Sequence, residues 1–149
     1  MFQVPCSTFH VENIKNLEPW NLLLLGGIIK ITRFEDIQSW QEARLLVADV
    51  YTFLTGCRDF GFRDQIQRAS VSIMSNVAEG FDRGSNKEFI YFLTIARGSL
   101  AEVKSLGYVG LDVLLLSGDQ FVTMEKRTIR LNGLLNGLIH YLKKYENKG

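Results

Sequence analysis

The sequence is poor in cysteine, histidine and proline, and each scarcity excludes a class of protein. The two cysteines, Cys6 and Cys57, and the two histidines, His10 and His140, lie far apart in the chain. They form no zinc-binding spacing, and two cysteines are too few for a disulfide framework. We therefore expect free thiols in a reducing cytoplasm, with no metal and no cofactor.

Proline is absent after Pro19, and no apolar run is long enough to cross a membrane. The longest candidate, residues 20–31, contains Asn21, Lys30 and two glycines, and it is shorter than the roughly 20 apolar residues that a membrane span requires. A secretory signal needs a basic start and a small-residue cleavage site, and the first residues have neither. A proline-free chain rich in leucine, isoleucine, valine and charged residues instead favours helices.

An excess of charge of either sign is also absent. The 149 residues carry a formal net charge of +1, and residues 34–149 hold fourteen basic and fourteen acidic side chains. A chain of this length is expected to form one domain. A neutral domain is a weak candidate for nucleic-acid binding, which usually shows as excess positive charge.

The first 33 residues differ from the rest, since they contain both prolines and lack helical periodicity. We predict an irregular N-terminal extension over residues 1–33 and a helical domain over residues 34–149. Three interpretations of the extension stay open. It is a short strand or helix that packs on the domain, an arm that binds a partner, or sequence translated from an upstream start.

Four amphipathic patterns follow, in which apolar residues recur every three or four positions. The N-cap residues predicted for the first and fourth helices are Asp36 and Asp119. Four helices with short connections predict an all-α, up-down-up-down four-helix bundle. The predicted segments are, in order, residues 34–56, residues 62–79, a stretch after Gly84 and a stretch after Gly118.

The most polar stretch, SNVAEGFDRGSNKEF from Ser75 to Phe89, is explained mainly by helix ends. Gly80 is predicted to end the second helix, because glycine adopts the left-handed conformation without a Cβ clash. Ser85 and Glu88 match a capping box, in which each side chain accepts a hydrogen bond from the other residue's backbone amide.

Capping leaves a polar stripe on the second helix unexplained. The stripe is either a solvated face or a hydrogen-bonded seam buried between subunits. Catalysis is disfavoured, because the stripe has one carboxylate and neither histidine nor cysteine. Its five members lie within about 80° of one another on a helical wheel: Gln65, Arg68, Ser72, Asn76 and Glu79.

The fourth helix carries a basic strip. It is either an ordinary solvated face or a surface for phosphate contacts. Gly133 and Gly137 lie on the same side, and two glycines inside a helix suggest close approach by another backbone. Four basic residues form the strip within about 40° on the wheel: Lys126, Arg130, Lys144 and Lys148.

Two segments resemble a known family: FEDIQSWQEARLLVADVY and QIQRASVSIMSNVAEGFDRGSNKEFIYFLTIARGSLAEV. They are similar, over about residues 34–144, to four-helix-bundle proteins encoded in intervening sequences of bacterial 23S ribosomal RNA genes. The resemblance implies a bundle that assembles into a ring, commonly a pentamer, without enzymatic activity. It also implies likeness to the accessory protein of diversity-generating retroelements, a basic barrel that binds nucleic acid and a reverse transcriptase.

The chain departs from this family at Met74, where a proline is usual, and at Gly107 and Gly110, where leucine and alanine are usual. These changes are expected to loosen a core position and to alter subunit packing. The family motif maps onto ten positions: Arg68, Ser72, Asn76, Glu79, Gly80, Glu88, Phe89, Phe92, Ser99 and Glu102.

These features together predict a cytoplasmic, homo-oligomeric, non-enzymatic bundle that acts as an adaptor for RNA or an RNA-handling protein, with no membrane partner. Two alternatives stay open. One is a protein–protein scaffold with no nucleic-acid role. The other is an enzyme that uses a polar set formed by Asn76, Glu79, Ser99 and Glu102.

Overall fold

The computed structural model describes residues 9–11 and 29–146. Each helix packs against its neighbours in sequence, and the last also packs against the first, so the four helices close into a bundle. The predicted all-α four-helix bundle is confirmed. The helices of this part of the chain are a 3-10 turn (Phe34–Asp36), α1 (Gln38–Phe53), α2 (Phe60–Asp82), α3 (Asn86–Asp112) and α4 (Gly118–Glu146).

Two short strands precede the helices. β1 (Phe9–Val11) pairs antiparallel with β2 (Ile29–Ile31), and Phe9 is opposite Ile31. Ile31 is buried and belongs to the hydrophobic core of the bundle. At these residues the structure thus shows a short strand that reaches the domain, and the rest of the predicted extension lies outside the described residues.

The starts of α1 and α4 use other residues than those predicted. Asp36 lies in the 3-10 turn, and Ile37 precedes α1 without a side-chain cap. At α4 the Ser117 hydroxyl accepts from the Gln120 amide at 3.2 Å, and the Ser117 amide donates to the Gln120 side chain at 2.9 Å. This reciprocal pair satisfies two groups at the helix start, so Asp119 is free to lie in the first turn near the positive end of the helix dipole.

The prediction that Gly80 ends α2 is wrong. The helix continues to Asp82, and Gly84, with a φ of 85°, takes the left-handed conformation after it. Gly80 is buried inside the helix, where an added Cβ would lie 2.6 Å from the Cβ of Phe92. Glycine is therefore required at this position by the close approach of α3, and not by the backbone conformation.

Ser85 is the N-cap residue of α3. Its hydroxyl accepts from the Glu88 amide at 3.2 Å and donates to the Glu88 carboxylate at 2.9 Å. The carboxylate thus bonds the Ser85 hydroxyl, where the sequence predicted the Ser85 amide. The polar stretch from Ser75 to Phe89 is a helix end, a three-residue connection and a helix start.

The core runs along the bundle axis and is filled by aliphatic and aromatic side chains. Each large side chain that is fully buried stabilises the fold by about 1.5–3 kcal/mol. Phe81 and Phe89 meet edge to face, with ring centres 6.0 Å apart, and they fix the α2–α3 contact. Other fully buried residues include Leu46, Ile66, Ile73, Leu93, Leu131, Leu135 and Leu142.

The two unusual glycines of α3 have different surroundings. Gly107 borders a cavity of about 10 Å³ between α3 and α4, beside Phe121 and Met124. Gly110 is tightly packed, since an added Cβ would lie 2.8 Å from Leu116. The expectation of a loosened core therefore holds at Gly107 and is wrong at Gly110, where the missing side chain makes room for a leucine.

Candidate functional surfaces

The polar stripe of α2 lies in the groove between α2 and α3. The hydroxyl oxygens of Ser72 and Ser99 are 2.9 Å apart, and the Asn76 amide donates to the Ser72 carbonyl at 2.8 Å and to its hydroxyl at 3.1 Å. Ser72, Asn76 and Ser99 are half-buried. Their hydrogen bonds join the two helices and satisfy groups that helix packing removes from water.

The outer members of the stripe are exposed. Gln65 donates to the Glu102 carboxylate at 3.4 Å, and Glu79 accepts from Arg83, one turn along the helix, at 2.6 Å. This hydrogen bond to Glu79 raises the pKa of Arg83. Arg68 is exposed and has no ion-pair partner among the residues that the structure describes. The stripe is thus a seam within one subunit at its centre, and its predicted role between subunits stays a prediction.

The polar set considered for catalysis is held in structural hydrogen bonds. Asn76 and Ser99 bond Ser72, while Glu79 and Glu102 bond neighbouring side chains. Within the described ranges, no group of three or more histidine, cysteine, aspartate or glutamate side chains is placed to hold a metal ion. The groove therefore offers a helix–helix seam and no arrangement of a nucleophile beside a base.

The basic strip of α4 contains both paired and unpaired cations. Arg130 lies 3.3 Å from the Glu42 carboxylate, although its own side chain is mostly exposed. Lys126 and Lys144 are exposed and have no ion-pair partner in the described part of the chain. Lys148 lies outside the described residues. The predicted phosphate contacts of the strip stay a prediction.

Beside this strip, α1 and α4 share four charged side chains, of which the sequence analysis named only Arg130. Arg127 donates to Glu42 at 3.0 Å and to Asp49, and Arg130 pairs with the second oxygen of Glu42. The Glu42 side chain is 7 % exposed and the Arg127 side chain 27 %. Burial lowers the pKa of Arg127, but its hydrogen bonds to Asp49 and Glu42 outweigh burial and raise it. These residues, which we call the α1–α4 charge cluster, have two positive and two negative charges.

A sequence signal for this cluster does exist. Glu42 directly precedes Ala43 of the apolar stripe of α1, and Asp49 follows seven residues later on the same side of the helix. A carboxylate so close to a core needs a cation on the facing helix. Arg127, next to the buried Thr128 of α4, is placed to supply that cation.

Apolar side chains also lie on the side of α3 that faces away from the core. Four of them lie within about 40° on the wheel, opposite the buried positions of the helix. Glu102 is the one charged residue within the same 40° between the first and the last of them. We call this surface the α3 outer face, and its large residues are Tyr91 (63 % exposed), Ile95 (37 %), Val109 (45 %) and Val113 (56 %).

Gly98 lies in the middle of the α3 outer face. An added Cβ would meet no atom within 4 Å, so the helix backbone is open to approach there. A glycine inside a helix costs about 1 kcal/mol relative to alanine. Gly137 on α4 is open in the same way, so the close backbone approach predicted for that glycine is not found among the described residues.

A comparison with protein families covers the same helices. A sequence model of the 23S rRNA-intervening sequence proteins matches residues 35–137, which include α1, α2, α3 and most of α4. The chain belongs to the 23S rRNA-intervening sequence protein family. Comparison with curated protein sequences gives no significant match.

A solved structure with a similar fold comes from Bacteroides thetaiotaomicron VPI-5482. It is a protein of unknown function from the S23 ribosomal protein family, with a TM-score of 0.64 and 22% sequence identity. The alignment covers 68% of this chain and 97% of that chain. At this identity the likeness shows the fold alone. None of the described helices of this 23S rRNA-intervening sequence protein is long and apolar enough to span a membrane.

Contacts within this chain explain some of the positions that match the motif of the 23S rRNA-intervening sequence family and leave others unexplained. Ser72, Asn76 and Ser99 join α2 to α3, and Gly80 admits Phe92. Arg68 is different, because its guanidinium pairs with no carboxylate of the described subunit. The structure therefore accounts for the seam, and the predicted role of Arg68 between subunits stays a prediction.

Proposed function

We propose that this protein is a non-enzymatic scaffold that assembles with copies of itself and carries RNA or an RNA-handling protein. The observation that carries the proposal is the α3 outer face. α3 has apolar side chains on two opposite sides, and its own bundle covers only one of them. An apolar surface that extends along one helix is typical of an interaction site.

The composition of the α3 outer face fits the centre of a protein interface. Between Tyr91 and Val113, about six helical turns, its one charged residue is Glu102. The buried centres of interfaces are depleted in charge and enriched in aromatic and apolar side chains. Gly98 adds a point where the backbone of a neighbour can approach closely, which offsets the helix stability lost with glycine.

A second copy of the chain is the occupant that the structure favours. A closed ring needs two different surfaces on each copy. The outer side of α4 supplies a second apolar surface, since Val122 is 45 % exposed and Ile129 58 %. Glu125 lies between these two residues, and Arg68 lies across the α2–α3 groove from the α3 outer face. Contact between the two surfaces would give Arg68 the carboxylate that its own subunit lacks.

The RNA part of the proposal is supported by exposed cations that no acid of the described subunit neutralises. Arg97, Lys104 and Lys143 are in this state. Lysine contacts phosphates without reading bases, so the binding is weak and tolerant of sequence. A ring multiplies each exposed cation by the number of subunits, which makes weak single contacts effective together.

Light scattering coupled to gel filtration tests the assembly. The chain mass is 17.0 kDa, so a pentamer elutes at about five times that value. Ile95→Lys with Val109→Lys places two charges on the α3 outer face, and we expect this variant to elute as a monomer with unchanged helix content. Leu45→Lys with Leu114→Lys is the matched control, because Leu45 is 48 % exposed on α1 and Leu114 86 % exposed at the end of α3, both outside that face.

A wild-type mass of about 17 kDa at micromolar concentration would refute self-assembly. Equal dissociation of the two variants would refute the α3 outer face as the contact, because charge added at any exposed position would then be enough to break the assembly. A monomeric α3 variant beside an assembled control supports the proposal.

A second candidate is a protein scaffold without RNA. The α1–α4 charge cluster favours it, because Glu42 and Asp49 neutralise two of the arginines of α4. Assembly without any binding of single-stranded RNA at 50 mM salt would select this candidate.

A further inference from the structure

We infer that the phosphate-contacting surface is the groove between α3 and α4, and not the basic strip of α4 that the sequence analysis considered for phosphate contacts. This inference rests on the proposed function, since it assigns the place where RNA binds. The candidate surface, here called the α3–α4 groove, has three cations from α3 and one from α4: Lys87, Arg97, Lys104 and Lys143.

The first step concerns the charges on the α1 side of α4. Arg127 and Arg130 both bond Glu42, and Arg127 also bonds Asp49. Two carboxylates therefore face two guanidiniums, and a phosphate that approached them would meet no net charge. A phosphate would also have to compete with carboxylates that are already in place and largely desolvated. The α1–α4 charge cluster therefore attracts polyanions weakly. The described part of the strip is left with two unpaired lysines, Lys126 and Lys144, which lie about 27 Å apart along the helix.

The second step concerns the opposite flank of α4. Lys87, Arg97, Lys104 and Lys143 are exposed, and none has an ion-pair partner among the described residues. Arg97 and Lys104 lie within about 20° of each other on the α4-facing flank of α3, because seven residues are almost two turns. Cations whose charge no protein carboxylate neutralises are the ones that can replace the counterions of a nucleic acid.

Contacts between the two helices place these residues along one groove. Tyr108 of α3 packs against Phe121 of α4 with ring centres 4.9 Å apart, and its hydroxyl donates to Glu125 at 3.4 Å. Glu125 is the one carboxylate on this flank of α4. It borders the same cavity as Lys104, and the hydrogen bond from the neutral tyrosine hydroxyl leaves its negative charge in place. Since α3 and α4 run antiparallel, residues further back along α3 lie beside residues further along α4. Arg97 therefore lies near Asn132 and Asn136, and Lys87 lies near Lys143.

The other side chains of the groove favour single-stranded RNA over an acidic protein. Tyr108 is 46 % exposed and presents a ring on which a base can stack. Asn132 and Asn136 are exposed amides on the same flank of α4, and amides bond both phosphates and sugar hydroxyls. An acidic peptide would bond the cations and the amides, but its carboxylate side chains offer no planar ring to stack on Tyr108.

Fluorescence anisotropy with a labelled 20-nucleotide uridine strand tests the inference on the full chain. The test variant is Arg97→Glu with Lys104→Glu, and the matched control is Lys126→Glu with Lys144→Glu. Both variants change the net charge by the same amount and alter exposed residues only. We expect the groove variant to lose about tenfold or more in affinity at 50 mM salt, and the slope of log K against log salt to fall by about 1.4, or about 0.7 for each lost contact. We expect the control to stay within about twofold of wild type, and both to keep the wild-type mass in light scattering.

The outcomes separate the inference from the proposed function. Loss of binding in the control with retention in the groove variant would overturn the inference and leave RNA binding standing on the predicted strip. Equal loss in both variants would also overturn it, since total charge would then decide. Absence of binding by the wild-type protein would refute the RNA part of the proposed function itself. Stronger displacement of the labelled RNA by poly-glutamate than by unlabelled RNA of equal length and concentration would show an acidic protein ligand and overturn the assignment to RNA.

Discussion

Gly80, Gly98 and Gly107 all lie inside helices, and each has a different environment. At Gly80 the neighbouring Phe92 fills the space that a side chain would need, while Gly107 borders a cavity and Gly98 faces open solvent. Glycine therefore lies at a close helix contact in one case, beside a cavity in the second and on an uncovered surface in the third. Only the packing distances separate these cases, because the sequence shows three glycines in helical patterns.

Substitution by alanine should change the stability of the protein in opposite directions at Gly107 and at Gly80. Gly107→Ala places its Cβ 3.7 Å from Phe121, an ordinary contact, and improves helix propensity, so we expect about 1 kcal/mol of added stability. Gly80→Ala forces α2 away from Phe92 and should cost about 1–3 kcal/mol. Urea denaturation followed by circular dichroism measures both changes. A destabilised Gly107→Ala protein would contradict the cavity, and a stabilised Gly80→Ala protein would contradict the close approach.

At the scale of the helices, α1 and α4 are joined by charge as well as by apolar packing. Glu42 is nearly buried and depends on Arg127 and Arg130 for its neutralisation. A buried ion pair contributes little net stability, yet removal of one partner is costly because the other charge stays buried. The α1–α4 charge cluster therefore fixes which residues of α4 face α1 more than it adds to stability.

The loss of Arg127 tests this description. Arg127→Met should destabilise the protein by roughly 2–3 kcal/mol, below the roughly 3–5 kcal/mol for a fully buried pair, because Arg130 still faces Glu42. Addition of Glu42→Met to that variant should restore part of the loss, because Glu42 is then no longer buried without its arginine, while Asp49 still lacks Arg127. Thermal denaturation of both single variants and the double variant gives the coupling. A double variant less stable than Arg127→Met alone would rule out the description.

The sequence predicted the helices better than their ends and their polar contacts. The spacing and the length of the apolar patterns were sufficient to predict four helices, because core residues such as Leu93 and Leu135 belong to repeats at helical spacing. The N-cap predictions at Asp36 and Asp119 failed because several residues near a helix start can cap it, and packing chooses among them. The contacts of Glu42 with Arg127 span 85 positions in the chain, and no local pattern reveals which helices face each other.

At the scale of the whole molecule, a net charge of +1 hides an uneven distribution. Arg127 and Arg130 of α4 are neutralised by Glu42 and Asp49, whereas the cations of the α3–α4 groove have no ion-pair partner within the described residues. The neutral composition argued against nucleic-acid binding, because a sum over the domain cannot show which charges are paired. Only the three-dimensional arrangement shows which acidic and basic side chains are paired. The assembly and RNA experiments therefore compare variants that place charge on different surfaces. A comparison of total charge would not distinguish those surfaces.

The connection between α2 and α3 is only three residues long, and this has a kinetic consequence. Closing so short a loop costs little chain entropy, and the contacts of Gly80 with Phe92 and of Phe81 with Phe89 form as soon as it closes. The α1–α4 charge cluster instead joins the first and the last helix of the chain, so it is expected to form late. Gly80→Ala should therefore slow refolding, whereas Arg127→Met should mainly speed unfolding, as stopped-flow measurements across urea concentrations would show. Reversal of these two effects would mean that the chain first joins its ends and only then folds the hairpin between them.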